Sequence, residues 1–217
     1  MSRSTAPTLQ SERVLLNGLT RPDQAEWLAL CRSNAAWLAR FSVADPSGPG
    51  PVQAWGSTLR TQRRESAAGR QVPWVLRVPD AGRPALAGQV TLSSITWGAT
   101  RSASLGYWVG EQWAGRGLMR EALALVMAHA MASEEGSACA ESGHPSRAKA
   151  TGAGDEGLGL HRLEALVHPD NQRSWELLNG LGFRDEGVRR GALHARGQWQ
   201  DHRVAALTSE DLRSFRA

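Results

Sequence analysis

Hydrophobic positions along the chain fall in short blocks whose period switches between two and about 3.6, and the breaks between blocks carry Gly, Pro, Ser or Asn. Residues 10–17 hold Val14, Leu15 and Leu16 between polar ends, a short opening strand. In Thr20-Arg21-Pro22-Asp23 a capping hydroxyl, a first-turn proline and an acid three residues after the cap mark a helix start, and Trp27, Leu28 and Leu30 give that helix its apolar face. Asn34 is placed to cap a second short helix with Trp37 and Leu38. After a Pro/Gly/Ser loop at 46–51, helical spacing resumes from 52 to about 68 with Trp55 and Leu59, and stops at Gly69. Residues 72–78 and 86–95 read as a hairpin about the turn 79–84, and a further turn at 97–100 leads into 103–109. Three successive strands of this kind predict an antiparallel meander.

The stretch 105–120 changes period within itself. Leu105 to Val109 is apolar and aromatic, whereas Met119, Leu123, Val126, Met127 and Ala130 recur at helical spacing, so a strand feeds a helix through the glycines between them. From about 133 to 159 the composition shifts to Ala, Gly, Ser and Glu, which cannot bury enough surface to offset its ordering entropy; it reads as a mobile insertion within one domain spanning 1–217. A strand at 163–167, Pro169, and a helix with Trp175, Leu177, Leu178 and Leu181 ended by Gly182 complete a parallel βαβα unit. Residues 183–190 form a strand, 194–199 a loop or turn and 200–207 a last strand, with a helix start at 209.

Glycine at 115 and 117 lets backbone amides crowd a ligand, and the helix that starts there presents free N–H groups and the positive end of its dipole, a place for phosphate. A Walker loop needs Gly-Lys-Ser/Thr, and Lys149, far away, is the only lysine. A dinucleotide fingerprint needs a third glycine where Arg120 stands. A tight turn without ligand is the bland alternative. The third phosphate reading fits the residues: Gln112-Trp113-Ala114-Gly115-Arg116-Gly117 matches Gln/Arg-x-x-Gly-x-Gly/Ala, and here the chain resembles the GNAT acetyltransferases. Asn171-Gln172-Arg173-Ser174, followed by a helix and Gly182-Phe183, resembles the second motif of that superfamily, so the two together cover 105–183. The order Gly-Tyr-Trp-Val, Asn-x-x-Ser-Trp-Glu-Leu-Leu and a closing Trp199-Gln200-Asp201-His202 looks most like its RimJ/RimL branch.

The resemblance implies an α/β fold with a mixed central sheet, an antiparallel N-terminal meander and a parallel βαβα unit that binds acetyl-CoA. It implies that Tyr107, Trp108 and Val109 splay from the parallel strand to admit the thioester. The cofactor-binding set would be Trp108, Val109, Gln112, Ala114, Gly115, Arg116, Gly117, Leu118 and Met119, with Asn171 and Ser174 from the second motif. Acetyl transfer to an amine must remove a proton from nitrogen, stabilise an oxyanion and protonate a thiolate, and needs no covalent nucleophile. Ser174 is the implied thiolate donor, and the helix-start hydroxyl is its bland alternative. The tyrosine that many relatives place five residues before the Gly-Phe phenylalanine is replaced here by Leu178. Glu164 or a water held by Tyr107 is the candidate base; Glu164 as a strand-edge carboxylate is the competing reading. By resemblance the acceptor is the α-amine of a protein or peptide N-terminus, ribosomal proteins among them. Polyamines, aminoglycosides, or acyl-CoA sensing without turnover remain alternatives.

Charge and composition change this picture little. The chain has 217 residues, 41% hydrophobic, and 25 Lys+Arg scattered among 21 Asp+Glu, a solvated surface rather than a nucleic-acid footprint. No run approaches the roughly 18 apolar residues of a membrane span, which predicts a soluble, cytoplasmic protein. Cys31 and Cys139 make no framework, and His144 and His161 lack ligand spacing, so no metal is expected. Of the nine tryptophans, Trp108, Trp113 and Trp175 are expected at the cofactor cleft, and Trp27, Trp37, Trp55, Trp74 and Trp97 in the elements covering it. Monomer and homodimer both remain open.

Overall fold

The computed structural model describes residues 6–43, 46, 55–79, 82–132 and 157–216, so most of the tract 133–159 and of the loop 46–51 lies outside the described residues. Among the described residues, eight strands form one sheet: β1 (Leu9–Gln10), β2 (Leu15–Asn17), β3 (Val72–Val78), β4 (Ala85–Thr96), β5 (Ser102–Val109), β6 (Arg162–Val167), β7 (Arg184–Ala195) and β8 (Gln198–Thr208). Their order is β1-β2-β3-β4-β5-β6-β8-β7, antiparallel except for β5 with β6. Six helices flank it: α1 (Gln24–Ser33), α2 (Ala35–Ala39), α3 (Trp55–Ala67), α4 (Leu118–Met131), α5 (Gln172–Asn179) and α6 (Ser209–Arg216).

At β3 both faces of the sheet are buried, which is why this strand is almost continuously apolar rather than alternating. Trp74, Leu76, Val90 and Leu92 pack with Leu123 and Val126 of α4 and with Trp175 and Leu178 of α5. Val75, between Trp74 and Leu76, points the other way and packs with Trp27, Leu30 and Cys31 of α1 and Leu59 of α3. Each such side chain, fully buried, is worth about 1.5–3 kcal/mol before ordering entropy is subtracted. A buried ion pair fixes α1 on this face. The Arg77 guanidinium lies 2.7 Å from Asp23, with side chains 4% and 2% exposed, and Glu26 and Arg83 join them. Asp23 also accepts from the Thr20 amide at 2.8 Å and the Thr20 hydroxyl at 2.7 Å, the reciprocal end of the capping box predicted at the helix start. Burial raises the Asp23 pKa, but the two Thr20 bonds with Arg77 and Arg83 outweigh it and hold the carboxyl below its usual range.

The sheet opens where it changes direction. Parallel pairing of β5 and β6 covers Ser102↔Arg162, Ala103↔Leu163 and Ser104↔Glu164 and stops there. Beyond it β5 stays bonded to β4 (Val90↔Tyr107, Gln89↔Trp108) and β6 to β8 (Leu166↔Val204, Val167↔Arg203), so the two strands diverge as expected.

Several local expectations need correction. The expected loop 194–199 is mostly strand: β7 runs to Ala195 and β8 starts at Gln198, joined by Arg196 and Gly197 at φ 51° and 80°, the two positive values a tight hairpin turn demands. The opening segment is a pair of strands, β1 and β2, rather than one. Asn34 stands at the cap of α2 but does not cap it with its side chain; that amide is buried, donates to the Leu30 carbonyl at 2.9 Å and accepts the Glu111 N–H at 2.7 Å. The helix α5 ends at Asn179 with Gly180 as its cap, before Gly182. Trp175 is not at a cleft; it packs in the core, with the Arg203 guanidinium 3.3 Å over its ring. Trp74 lies wholly buried on the α4 side, and Trp97 is 46% exposed, so neither covers the opening.

Candidate functional site

A cavity of about 1310 Å³ occupies the gap between β5 and β6, more than the roughly 300–1,000 Å³ of an ordinary small-molecule pocket. It is lined by the glycine turn, by the parted strands, and by α1, α2 and the residues after α2. Among the predicted residues, Tyr107, Trp108, Val109, Ala114, Gly115, Gly117, Leu118, Met119, Asn171 and Ser174 line it. Gln112, Arg116 and Glu164 do not.

The glycine end has the features of an anion cradle. After a 3₁₀ turn at Glu111–Trp113 the chain passes Gly115 and Gly117 at φ 75° and 76°, where L side chains are strained, and enters α4 with no side-chain cap. Leu118 and Met119, 5% and 7% exposed, root the first turn of the helix in the core, so its amides are held in place. Arg13 braces the turn from outside: its guanidinium donates to the Arg116 carbonyl at 3.2 Å and pairs with Glu121 at 2.7 Å. Next to Gly115 an added Cβ would meet open space, and next to Gly117 only the Arg13 guanidinium at 3.5 Å. A phosphate group fits this concavity through backbone N–H groups and the dipole of a 14-residue helix. The Arg116 guanidinium instead sits 5.1 Å from the Trp113 ring.

At the centre, Asn171 caps α5 by accepting the Ser174 N–H at 3.3 Å, which sets Ser174 at the lip of the cavity. The Tyr107 hydroxyl donates to the backbone carbonyl of Ser174 at 3.4 Å, a long bond linking the two strand-helix units across the gap. Burial pushes the Tyr107 pKa up to about 12, against the opposing effect of that bond, so this phenol is a donor at neutral pH and not a base. Glu164 is paired away from the site, with Arg189 at 2.9 Å and Arg162 at 3.2 Å. Its carboxylate is committed to these two guanidiniums and lies outside the cavity lining.

Trp37, expected among the covering elements, lines the α1–α2 side together with Phe41, His168 and His202, to which the sequence assigned no role at the site. Trp37 donates from its indole to the Val109 carbonyl at 3.0 Å, tying α2 to the end of β5. Phe41, His168 and His202 form a contiguous ring cluster there. His168 was open to discovery from strand alternation: Glu164, Leu166 and residue 168 share one face if the strand direction continues past Val167. His202 carried no such signal, because only the β6–β8 register brings it near.

Comparison with known proteins agrees with this architecture. A family model described as acetyltransferase (GNAT) domain matches residues 13–184. The [ribosomal protein uS5]-alanine N-acetyltransferase of Escherichia coli is 30% identical over 132 residues, 61% of this chain and 56% of that protein, so the match spans little more than half of the relative. The probable N-acetyltransferase YjcK of Bacillus subtilis is 27% identical over 203 residues, 94% of this chain and 98% of the relative. Among solved structures, Mycobacterium smegmatis RimJ in complex with a CoA disulfide superposes with a TM-score of 0.76 at 27% identity, covering 97% of this chain and 92% of that one. With a matched model over most of its length, a sheet that parts between its two parallel strands and a glycine turn leading into α4, the chain belongs to the GNAT acetyltransferase family.

Proposed function

We propose that this protein transfers the acetyl group of acetyl-CoA to the α-amine of a protein or peptide N-terminus, by direct attack of the amine on the thioester. The observation that carries the reading is the single cavity joining the glycine turn to the α1–α2 side through the gap between β5 and β6. A phosphate-bearing cosubstrate entering at α4 and an acceptor entering from the opposite side would meet beside Tyr107 and Ser174. In this reading the backbone of Ala114, Gly115, Gly117, Leu118 and Met119 holds the pyrophosphate. Trp108 and Val109 line the path of the thioester arm, and Asn171 orients Ser174. The Ser174 hydroxyl donates to the sulfur as it leaves. Gln112 and Arg116 shape the turn without touching the ligand through their side chains, and Glu164 has no part in proton transfer. Acetyl-CoA supplies an activated acyl group; the chain supplies alignment and proton handling.

Two arguments favour an N-terminal amine. An α-amino group has a pKa of roughly 7.7–8.0 against about 10.4 for lysine, so a site without a strong base meets a usable neutral fraction only with the former. A polycationic amine would face a lining with Arg40, Arg120 and Arg173 against only Asp170 and Glu176, the wrong charge balance for it. The naming of the Escherichia coli relative as an acetyltransferase of ribosomal protein uS5 alanine makes ribosomal proteins the first acceptors to try. Incubation with acetyl-CoA and a pool of Ala- and Ser-initiated peptides, beside a polyamine control, tests the reading. Mass spectrometry should place the acetyl mark on the peptide N-terminus; acetylation confined to lysine side chains or to the polyamine overturns it.

A further inference from the structure

Two imidazoles meet on the acceptor-side wall of the cavity. Along β6 and β8 the antiparallel register runs Glu164↔Ala206 and Leu166↔Val204, and one further step along the same face sets His168 against His202. Their ring centroids are 5.7 Å apart with the planes at 89°, and the Phe41 ring lies 5.8 Å from that of His168, tilted by 48°. Backbone contacts decide where the hydrogens are. Nδ1 of His202 lies 3.1 Å from the carbonyl oxygen of Gln200, an atom that only accepts, so Nδ1 carries the hydrogen and Nε2 keeps its lone pair. His168 has the opposite tautomer: its Nδ1 accepts the Asp170 N–H at 3.1 Å, and its Nε2 donates to the side-chain oxygen of Gln200. His168 therefore has both nitrogens engaged, while His202 keeps one basic nitrogen.

Burial keeps His202 neutral. It is 3% exposed, and that burial, opposed by the Gln200 carbonyl, assisted by His168 and opposed by Asp201, leaves its pKa below the ordinary imidazole value. The other charged groups around it are committed elsewhere. Arg189, its register partner on β7, pairs with Glu164, and Arg203, next to it on β8, pairs with Asp185. Asp170 lies beyond His168, 3.8 Å from that ring, and Arg40 and Arg196 stack on Phe41. Among the described residues no carboxylate pairs with His202.

We propose that Nε2 of His202 is the base that takes the proton of the acceptor ammonium; this inference rests on the transfer reaction proposed above. The acceptor enters as R–NH3+ and gives one proton to Nε2. The freed nitrogen lone pair forms the C–N bond to the acyl carbon, and the C–S pair departs with sulfur. The second proton lost from nitrogen ends on sulfur through Ser174, and the imidazolium returns its proton to solvent. A buried imidazole that is neutral at the operating pH, with a free Nε2 lone pair, is in the protonation state a base needs.

The test is H202Q beside the wild type, with acetyl-CoA affinity by calorimetry, kcat/KM against pH on whichever amine the wild type acetylates, and nitrogen-15 NMR of the histidine rings. The expected result is unchanged acetyl-CoA affinity, a loss of at least a hundredfold in kcat, and disappearance of the limb along which wild-type kcat/KM falls below about pH 6.5. NMR of the unmodified protein should show His202 as the Nδ1–H tautomer at pH 7. Retained activity in folded H202Q, a surviving acid limb, or a proton on Nε2 at pH 7 overturns the proposal. If the wild type acetylates only polyamines, the N-terminal reading fails, while the variant comparison on that amine still decides the role of His202. The NMR result decides it if H202Q does not fold.

Discussion

Gly117 has a φ of 76°, which a β-branched residue adopts only under strain, and its backbone lines the cavity. Gly117→Val should therefore weaken acetyl-CoA binding at least tenfold, about 1.4 kcal/mol, while the fold survives, and unchanged affinity of a folded variant by calorimetry would remove the turn from the binding site. Gly88 is constrained differently: a Cβ there would stand 2.2 Å from the Trp108 carbonyl oxygen, where β4 meets the parted half of β5. Gly88→Ala should cost about 1–3 kcal/mol as the strands are forced apart, visible in a urea titration. At Ser174 the expectation is kinetic, with Ser174→Ala lowering kcat about tenfold to a hundredfold at unchanged acetyl-CoA affinity, since the Asn171 cap uses the Ser174 amide and not its hydroxyl. Asp23 tests stability. Asp23→Ala leaves the buried Arg77 charge without its nearest carboxylate and should cost about 3–5 kcal/mol. Because the Asp23 carboxyl is held below its usual range in the fold, its contribution is complete above the unfolded pKa of about 3.9 and is lost as pH falls through the lower folded value. The stability gap between wild type and Asp23→Ala should accordingly be flat from pH 7 to 5 and close below about pH 4, as urea midpoints across that series would report.

At the scale of elements, α4 and α5 are locked to one another by the Arg120 guanidinium, which donates to the Gly180 carbonyl at the C-terminus of α5 at 2.5 Å. Arg120 thus occupies with a structural contact the position at which a dinucleotide fingerprint would have placed a glycine. The chain returns from the tract after α4 close to where it left. Gly159 donates to the Ala132 carbonyl at 2.9 Å, Leu158 to the His129 carbonyl at 2.9 Å, and Gly157 lies directly against Ala132. With adjoining ends, replacing 133–154 by a few glycines and serines should leave the melting temperature within a few degrees, because each doubling of loop length changes closure entropy by only about 0.6 kcal/mol. A large drop in melting temperature would mean that the tract belongs to the core, and that the chain is not one domain with an insertion.

For the molecule as a whole, the gap where β5 and β6 separate offers a place for a ligand, since β4 and β8 each hold one strand back. The helix α4 packs in one core and α1 in the other, so the lining of the cavity is built from distant parts of the chain. No helix among the described residues is long and apolar enough to cross a membrane.

The elements and the glycine turn were legible in the residues themselves. Periodicity located the meander, glycine spacing located the turn that enters α4, and the Thr20–Asp23 box and the Asn171 cap marked helix starts, because each depends on contacts a few residues apart. Facing was not legible in the same way. Trp175 turned to the core, Asn34 was drawn to the Glu111 amide, and Glu164 went to Arg189 and Arg162, each through a partner on another element. Length misled at 194–199, where pairing between β7 and β8 extends both strands to a two-residue turn. The insertion of β8 between β6 and β7, and with it the meeting of His202 and His168, was decided only by the tertiary structure. A strand's own pattern states which residues alternate, but the register against a distant strand, fixed by burial of the whole sheet, decides which of them meet.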